Sequence, residues 1–291
     1  MEYINWVINH LFEILGAVVL FAFWFTYGIV PLVVKQNMVF NRDLTIEEYD
    51  PEEADLDTYQ PDDDEDYQLP LDLEEHFAEQ IEQMLEIGFD YHKYYVIPDM
   101  LPNAGAIFCT FFNQKTQDLA MATVIHAVEM KDTVLNDDSL IDNAIKTKTI
   151  TYEMYVEFMS QFTDGSQVCT MNSNEMQGFK TGPMRLTYQL PTTKDLNTLY
   201  AVHQRKSADA ISPKSPLPQE NQWIDFLRED IVDSFDQQVD YGLLKLNEPK
   251  QKYTMTWKSM IYMVYPNLWP FKGMVMRKVR AKEQKLLKEV F

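Results

Sequence analysis

The sequence predicts an α+β fold. It comprises an N-terminal transmembrane helix, an antiparallel sheet of about five strands flanked by helices, and a C-terminal helical and interfacial segment. Three observations carry the prediction. The run ILGAVVLFAFWFTYGIVPLVV, Ile14 to Val34, is 21 residues without a charge. Short apolar-rich runs between residues 106 and 190 are separated by polar turn segments, which is how strands read. Apolar residues at spacings of three and four mark helices around them.

The first element follows from length. At about 1.5 Å per residue the uncharged run covers about 31 Å, close to a hydrocarbon core of about 30 Å. Trp6, Trp24 and Tyr27 suit the interfaces, and membrane helices tolerate Gly28 and Pro31. A cleavable signal peptide fits less well, because the start carries Glu2 and Glu13 with no base and VPLVVKQN has no small-residue cleavage pattern. Lys35 and Arg42 follow the run and no base precedes it. The positive-inside rule then places the C-terminal part in the cytoplasm. The expectation is a single-pass protein of the cell membrane with residues 1–36 as its anchor. Glu13 marks the outer interface or faces a partner helix.

Residues 37–70 read as an acidic linker. Between Asp43 and Asp90 there are 20 Asp and Glu and no Lys or Arg, so the remaining 25 acids and 25 bases balance and this window carries the whole net charge of −20. Acids, Pro51, Pro61 and Pro70 without apolar periodicity do not bury enough surface to offset ordering entropy.

An α+β domain follows over 71–210. In LDLEEHFAEQIEQMLEIGF, the residues Leu73, Phe77, Ile81, Met84 and Leu85 share one helical face, and Gly88 is the stop. Ala106–Phe112 and Asp118–Val128 form a hairpin about NQKTQ. Thr149–Phe162, the turn TDGSQ with Gly165, and QVCTM form the next pair. Met184–Leu190 is a further strand, and TKDLNTLYAVHQRK is a helix. The three prolines of Ser207–Gln219 predict a loop. In 219–291, Trp223, Leu227, Ile231, Phe235 and Val239 recur every four residues as a helix, and LLKLNEPKQKYTMTW reads as a hairpin.

The C-terminus pairs an aromatic segment with a basic helix. Ser259–Phe271 is uncharged but too short to span, and from Lys245 onward there are 11 bases against 3 acids. Trp257, Tyr262, Tyr265, Trp269 and Phe271, with Lys272, Arg277, Lys278, Arg280 and Lys282, are the expected membrane-interface residues, and the lipid bilayer is an expected partner. A core segment followed by a solvated basic helix is the competing reading.

Composition excludes several classes. Hydrophobic residues make up 46% of the chain, enough for a sizeable core. Only nine glycines occur, and no Walker A, G-x-G-x-x-G, G-x-S-x-G or H-E-x-x-H pattern is present. Cys109 and Cys169 lie 60 residues apart and read as buried free thiols. The five histidines lack a second ligand at helical spacing, and His126, in an apolar strand, reads as a satisfied core or surface imidazole rather than a ligand. DDDED lacks the glycine and distal glutamate of a calcium loop. No metal and no cofactor are expected. The loop NSNEMQGFKTGP follows a strand, and Lys180 and Arg185 beside it are the candidate ligand residues, able to receive an anion.

From about Gly88 the chain resembles uncharacterised bacterial single-pass membrane-anchored proteins. The likeness rests on LEIGF, EFMSQFTDGSQVCTMNSN, LYAVHQR and YTMTWKSMIYM…LWPFK, and it implies no activity. DYGLLKLNEPKQKYTMTWKSM also resembles the wing of a winged-helix domain. Ser259 replaces the glycine of that pattern, and the preceding helix carries Asp225, Glu229, Asp230, Asp233 and Asp236 against Arg228 alone, which argues against nucleic-acid binding.

Three functions are therefore weighed. The first is a membrane-tethered cytoplasmic interaction or scaffold module, whose acidic linker meets a basic protein partner. The second is a small-ligand or lipid-binding domain, which predicts an apolar cavity of about 300–1,000 Å³ between the sheet and the Trp223 helix. The third is an enzyme with a motif-free site of unknown catalytic residues, which predicts paired carboxylates or a lysine of perturbed pKa converging in a cleft.

Overall fold

The computed structural model describes residues 20–21, 24–50, 73–101, 104–133, 145–174, 180–268 and 270–291. A seven-stranded sheet runs through it in the order β2-β3-β4-β5-β6-β7-β8. The strands are β2 (Glu47–Tyr49), β3 (Asp90–Leu101), β4 (Ala104–Asn113), β5 (Asp118–Thr133), β6 (Ile145–Gln161), β7 (Gln167–Met171) and β8 (Arg185–Gln189). All neighbouring pairs are antiparallel except β7 and β8, which run parallel. The expected all-antiparallel sheet of about five strands is thus corrected to a mixed sheet of seven. The reason lies in residues 172–184, which are long enough to return the chain to the start of β7 before β8 begins.

The period-two alternation of the strands divides the core into two layers. On one face Ile107, Cys109 and Phe111 of β4, Ala120, Ala122 and Val124 of β5, and Val156 and Phe158 of β6 pack with two helices. These are α2 (Leu73–Ile87) and α3 (Leu196–Ser207). Leu73, Phe77 and Met84 of α2 are buried as its periodicity predicts, whereas Leu85 is exposed. Gly88 ends α2 with φ +99°, the left-handed conformation that favours glycine. Asp195 caps α3 by accepting from the backbone N–H groups of Asn197 and Thr198.

The opposite face carries α4 (Trp223–Asp240) and a three-stranded sheet, β1-β10-β9. Its strands are β1 (Val39–Asn41), β9 (Leu244–Asn247) and β10 (Lys252–Met255). Trp223, Leu227 and Phe235 meet Tyr95, Ile97 and Phe108 of the large sheet and Phe40 and Tyr253 of the small one. The expected linker 37–70 therefore contributes strands to both sheets through β1 and β2; its residues 51–70, including the DDDED run, lie outside the described residues.

The expected membrane anchor is not supported. Among the described residues no helix is long and apolar enough to cross a membrane. Phe25–Ile29 is a π-helical turn leading into α1 (Val30–Asn37), whose eight residues rise only about 12 Å. The helix ends because the chain is drawn into β1, which pairs with β10. Residues 1–19 and 22–23, including Trp6, Glu13 and the first part of the expected span, lie outside the described residues. The single-pass cell-membrane location with a cytoplasmic domain rested on that span and loses its support with it.

The C-terminal segment is built into the fold. Met260, Met263 and Val264 are buried in the second core layer, and α5 (Phe271–Val290) lays Leu286, Leu287 and Val290 against the first. Glu283 of α5 is buried and accepts from the Thr192 N–H and the Thr193 hydroxyl, both at 2.9 Å, which pins the helix to the turn before α3.

One close approach yields a prediction. A Cβ added to Gly105 would lie 2.9 Å from the Ile97 carbonyl oxygen and 2.9 Å from the ring of buried His126. Backbone on one side and a packed ring on the other leave little room to yield. Gly105→Ala is expected to destabilise the fold by about 1–3 kcal/mol. A urea midpoint equal to that of the wild type would disprove the crowding.

Candidate functional site

The side chains of the second face do not meet α4 everywhere. Between them lies a cavity of about 270 Å³, just below the size range the sequence predicts. Alternation aims its floor: Ile97 from β3, Ala106 and Phe108 from β4, Met121, Thr123 and Ile125 from β5. The i, i+4 periodicity of α4 supplies the roof through Leu227, Ile231 and Phe235, with Ser234 beside them. One wall is charged. It consists of Tyr155 and Glu157 from β6, Arg185 at the start of β8, and Asp230 from α4.

This wall is an ion-pair bridge. Arg185 donates through Nη1 to Asp230 Oδ2 at 3.0 Å and through Nη2 to Glu157 Oε1 at 3.3 Å. Gln167 Nε2 donates to Asp230 Oδ1 at 2.8 Å. Glu157 is only 5% exposed, so its charge depends on this pairing for its place in the interior. The bridge exists because β7 and β8 run parallel, with Gln167 opposite Arg185 on the strand edge that α4 covers. Tyr155 shares a hydrogen bond with Thr123, and burial, then the carboxylates of Glu157 and Glu153, push its phenol up, so it is a neutral donor. Burial likewise pushes the Cys169 thiol behind the wall up. Cys169 and Cys109 are both buried and free, as their spacing predicts.

Of the two candidate ligand residues, the structure brings Arg185 to the cavity and leaves Lys180 off its lining. Lys180 Nζ sits 4.5 Å above the Tyr241 ring, and its backbone is held by Gln238. Glu157, Asp230 and Tyr155 were not legible as site residues. Only the period-two phase of β6 hinted that Tyr155 and Glu157 share a face.

None of the expected membrane-interface residues that are described lines this cavity. Trp257 is 64% exposed under Lys35 Nζ, 5.1 Å from its ring centroid. Tyr265 donates to the Tyr27 carbonyl at 3.0 Å, and Phe271 meets the Tyr27 ring edge-on at 6.2 Å. Tyr262, Arg277, Lys278, Arg280 and Lys282 are exposed and Lys272 half-buried. Trp269 lies outside the described residues.

A second polar cluster is buried on the first face, with Lys214 at its partly exposed edge. Ser160 donates to Asp118 Oδ1 at 2.5 Å, Tyr200 donates to Asp118 Oδ2 at 2.9 Å, and Lys214 reaches Oδ1 from the proline-rich loop. His203 Nε2 lies 2.9 Å from Ser160 Oγ, and its Nδ1 lies 3.1 Å from Thr170 Oγ1. Serine, histidine and aspartate meet here, but with the wrong polarity for nucleophilic catalysis. The single Ser160 proton goes to Asp118, so His203 donates to Ser160 rather than accepting from it. All three side chains are 0% exposed, so no substrate reaches them. The cluster is a structural network that ties α3 to β5, β6 and β7.

No protein-family model matches the chain, and neither does any curated protein or solved structure.

Proposed function

We propose that the protein is a small-molecule binding module whose ligand seats between the large sheet and α4. The observation that supports this most directly is the cavity, with apolar floor and roof and a single charged wall. That pattern, mostly apolar with a few convergent polar groups, is the ordinary composition of a ligand site. Two larger hollows, of about 690 Å³ beside Lys93 and Glu220 and about 550 Å³ beside His92 and Gln117, lack such a buried charged wall. A binding role also gives the Glu157–Arg185–Asp230 bridge a purpose. Buried ion pairs are often replaceable by apolar packing without loss of stability, so their presence calls for a reason other than folding.

The test uses N-phenyl-1-naphthylamine, a neutral apolar fluorophore. Its emission is expected to rise saturably with one site per chain. Ala106→Phe, which fills the cavity from the sheet, and Ser234→Phe, which fills it from α4, are each expected to abolish the rise while thermal unfolding stays cooperative. Undiminished binding by both folded variants would place the fluorophore elsewhere and end this reading.

A further inference from the structure

The charge of the wall selects among ligands, and this step rests on the cavity being a ligand site. We infer that the ligand is a small organic cation, a primary or secondary amine on an apolar body. Two carboxylates, Glu157 and Asp230, face one guanidinium, Arg185, so the wall carries one net negative charge. Among the described residues no lysine lines the cavity. The helix that forms the roof adds Asp225, Glu229, Asp233, Asp236 and Asp240 against its own Arg228, with Asp236 paired to Arg42 at 3.0 Å. Arg228 is itself bound to Asp225 at 2.8 Å. An anion entering here would meet two carboxylates before gaining anything from an arginine whose fork is already engaged on both sides.

An ammonium group meets the opposite situation. Each carboxylate oxygen offers two lone-pair sites. One donor from Arg185 to Glu157 Oε1, and one each from Arg185 and Gln167 to the two Asp230 oxygens, leave acceptor capacity on the wall. The body of the ligand then lies over Phe108 and Phe235, whose ring faces favour a nearby cation. The interior position of Glu157 strengthens the attraction, because fewer water dipoles screen it.

Three probes of one shape separate the outcomes: phenethylammonium, phenethyl alcohol and phenylacetate, titrated into the full chain by calorimetry at pH 7. A charge-assisted contact corresponds to roughly a ten- to hundredfold preference. The ammonium is expected to bind about that much more tightly than the alcohol, with the carboxylate weakest. Glu157→Gln, and separately Asp230→Asn, are expected to weaken the ammonium about tenfold or more and the alcohol far less, so that the preference for the ammonium collapses. Equal binding of ammonium and alcohol, or tightest binding of the carboxylate, overturns the cation assignment while the cavity reading stands. So does binding of the naphthylamine fluorophore with no binding of any of the three. Failure of all four probes overturns the cavity reading itself.

Discussion

Asp118→Ala is expected to lower the free energy of unfolding by about 3–5 kcal/mol, the cost of breaking a buried charged network from its centre. The carboxylate is 0% exposed and gathers Ser160, Tyr200 and Lys214, with His203 Nε2 at 3.6 Å. Removing it leaves the Ser160 and Tyr200 hydroxyls without their acceptor and the Lys214 ammonium, only 23% exposed, without its counter-charge. Asp118→Asn keeps the shape and one acceptor oxygen and is expected to cost less. Equilibrium urea unfolding at pH 7 measures both. A loss below about 1 kcal/mol for the alanine variant would show that the network does not hold α3 to the sheet.

The same network sets an acid limb. Burial raises the Asp118 carboxyl, but hydrogen bonds and charge from His203, then the bonds from Lys214 and Ser160, outweigh it and hold the group below its ordinary 3.8. Burial holds the His203 imidazole below its ordinary 6.5, against the opposing pull of Asp118. Tyr200, which also donates to Asp118, is pushed up to about 12 by burial and stays neutral. Both folded values are depressed, so in both cases the unfolded chain takes the proton first. The stabilisation is complete above pH 6.5. It declines as unfolded His203 protonates below 6.5, and declines further below 3.8 as unfolded Asp118 protonates. In Asp118→Ala the second decline should flatten.

Trp223→Ala is the second large effect, at about 3–5 kcal/mol. Trp223 is 0% exposed and is the largest fully buried side chain at the start of α4. Its ring meets Phe112 edge-on at 5.0 Å and stacks on Phe226 at 5.2 Å, so it fixes the end of α4 on the large sheet. Nothing small fills that space. Trp223→Phe should be far milder, about 1 kcal/mol. It keeps most of the apolar contact and deletes an indole N–H that is buried with no hydrogen-bond partner among the described residues. Because α4 roofs the cavity, the alanine variant should also weaken the naphthylamine fluorophore, and the phenylalanine variant should not. Equal costs for the two substitutions would mean that ring volume at this position is not what holds α4.

Elements with a helical spacing or with turn residues at their ends were legible in the chain. The helices α2, α3 and α4 announced themselves by apolar spacing, and β4 to β8 by strand-like runs between turn residues, although β4 is buried along nearly its whole length. The strand β3 was not. DYHKYYVIPDML buries residues on both faces, so no alternation shows, and Pro98 speaks against a central strand. The register shift between Ile97 and Leu101 accommodates it. The strands β1 and β2 have three residues each, too few to carry a pattern. The uncharged run that suggested a membrane anchor is ambiguous for a related reason. Apolarity states that a segment avoids water, not what replaces the water: Val34 packs against the second core layer before the chain enters β1, while Leu20, Phe21, Trp24 and Phe25 stay exposed.

What the sequence determined by itself was therefore local: which residues turn, which repeat at helical spacing, and where the charge is concentrated. These depend on neighbours within a few positions, and those neighbours are written in order along the chain. The tertiary structure alone decided the parallel closure of β8 onto β7, the cavity beneath α4, and the pairing of Glu157, Arg185 and Asp230 across residues 28 and 45 apart. Such pairings arise when separate elements pack. Their energy comes from exclusion of water between surfaces that no short window contains, so no local pattern announces them.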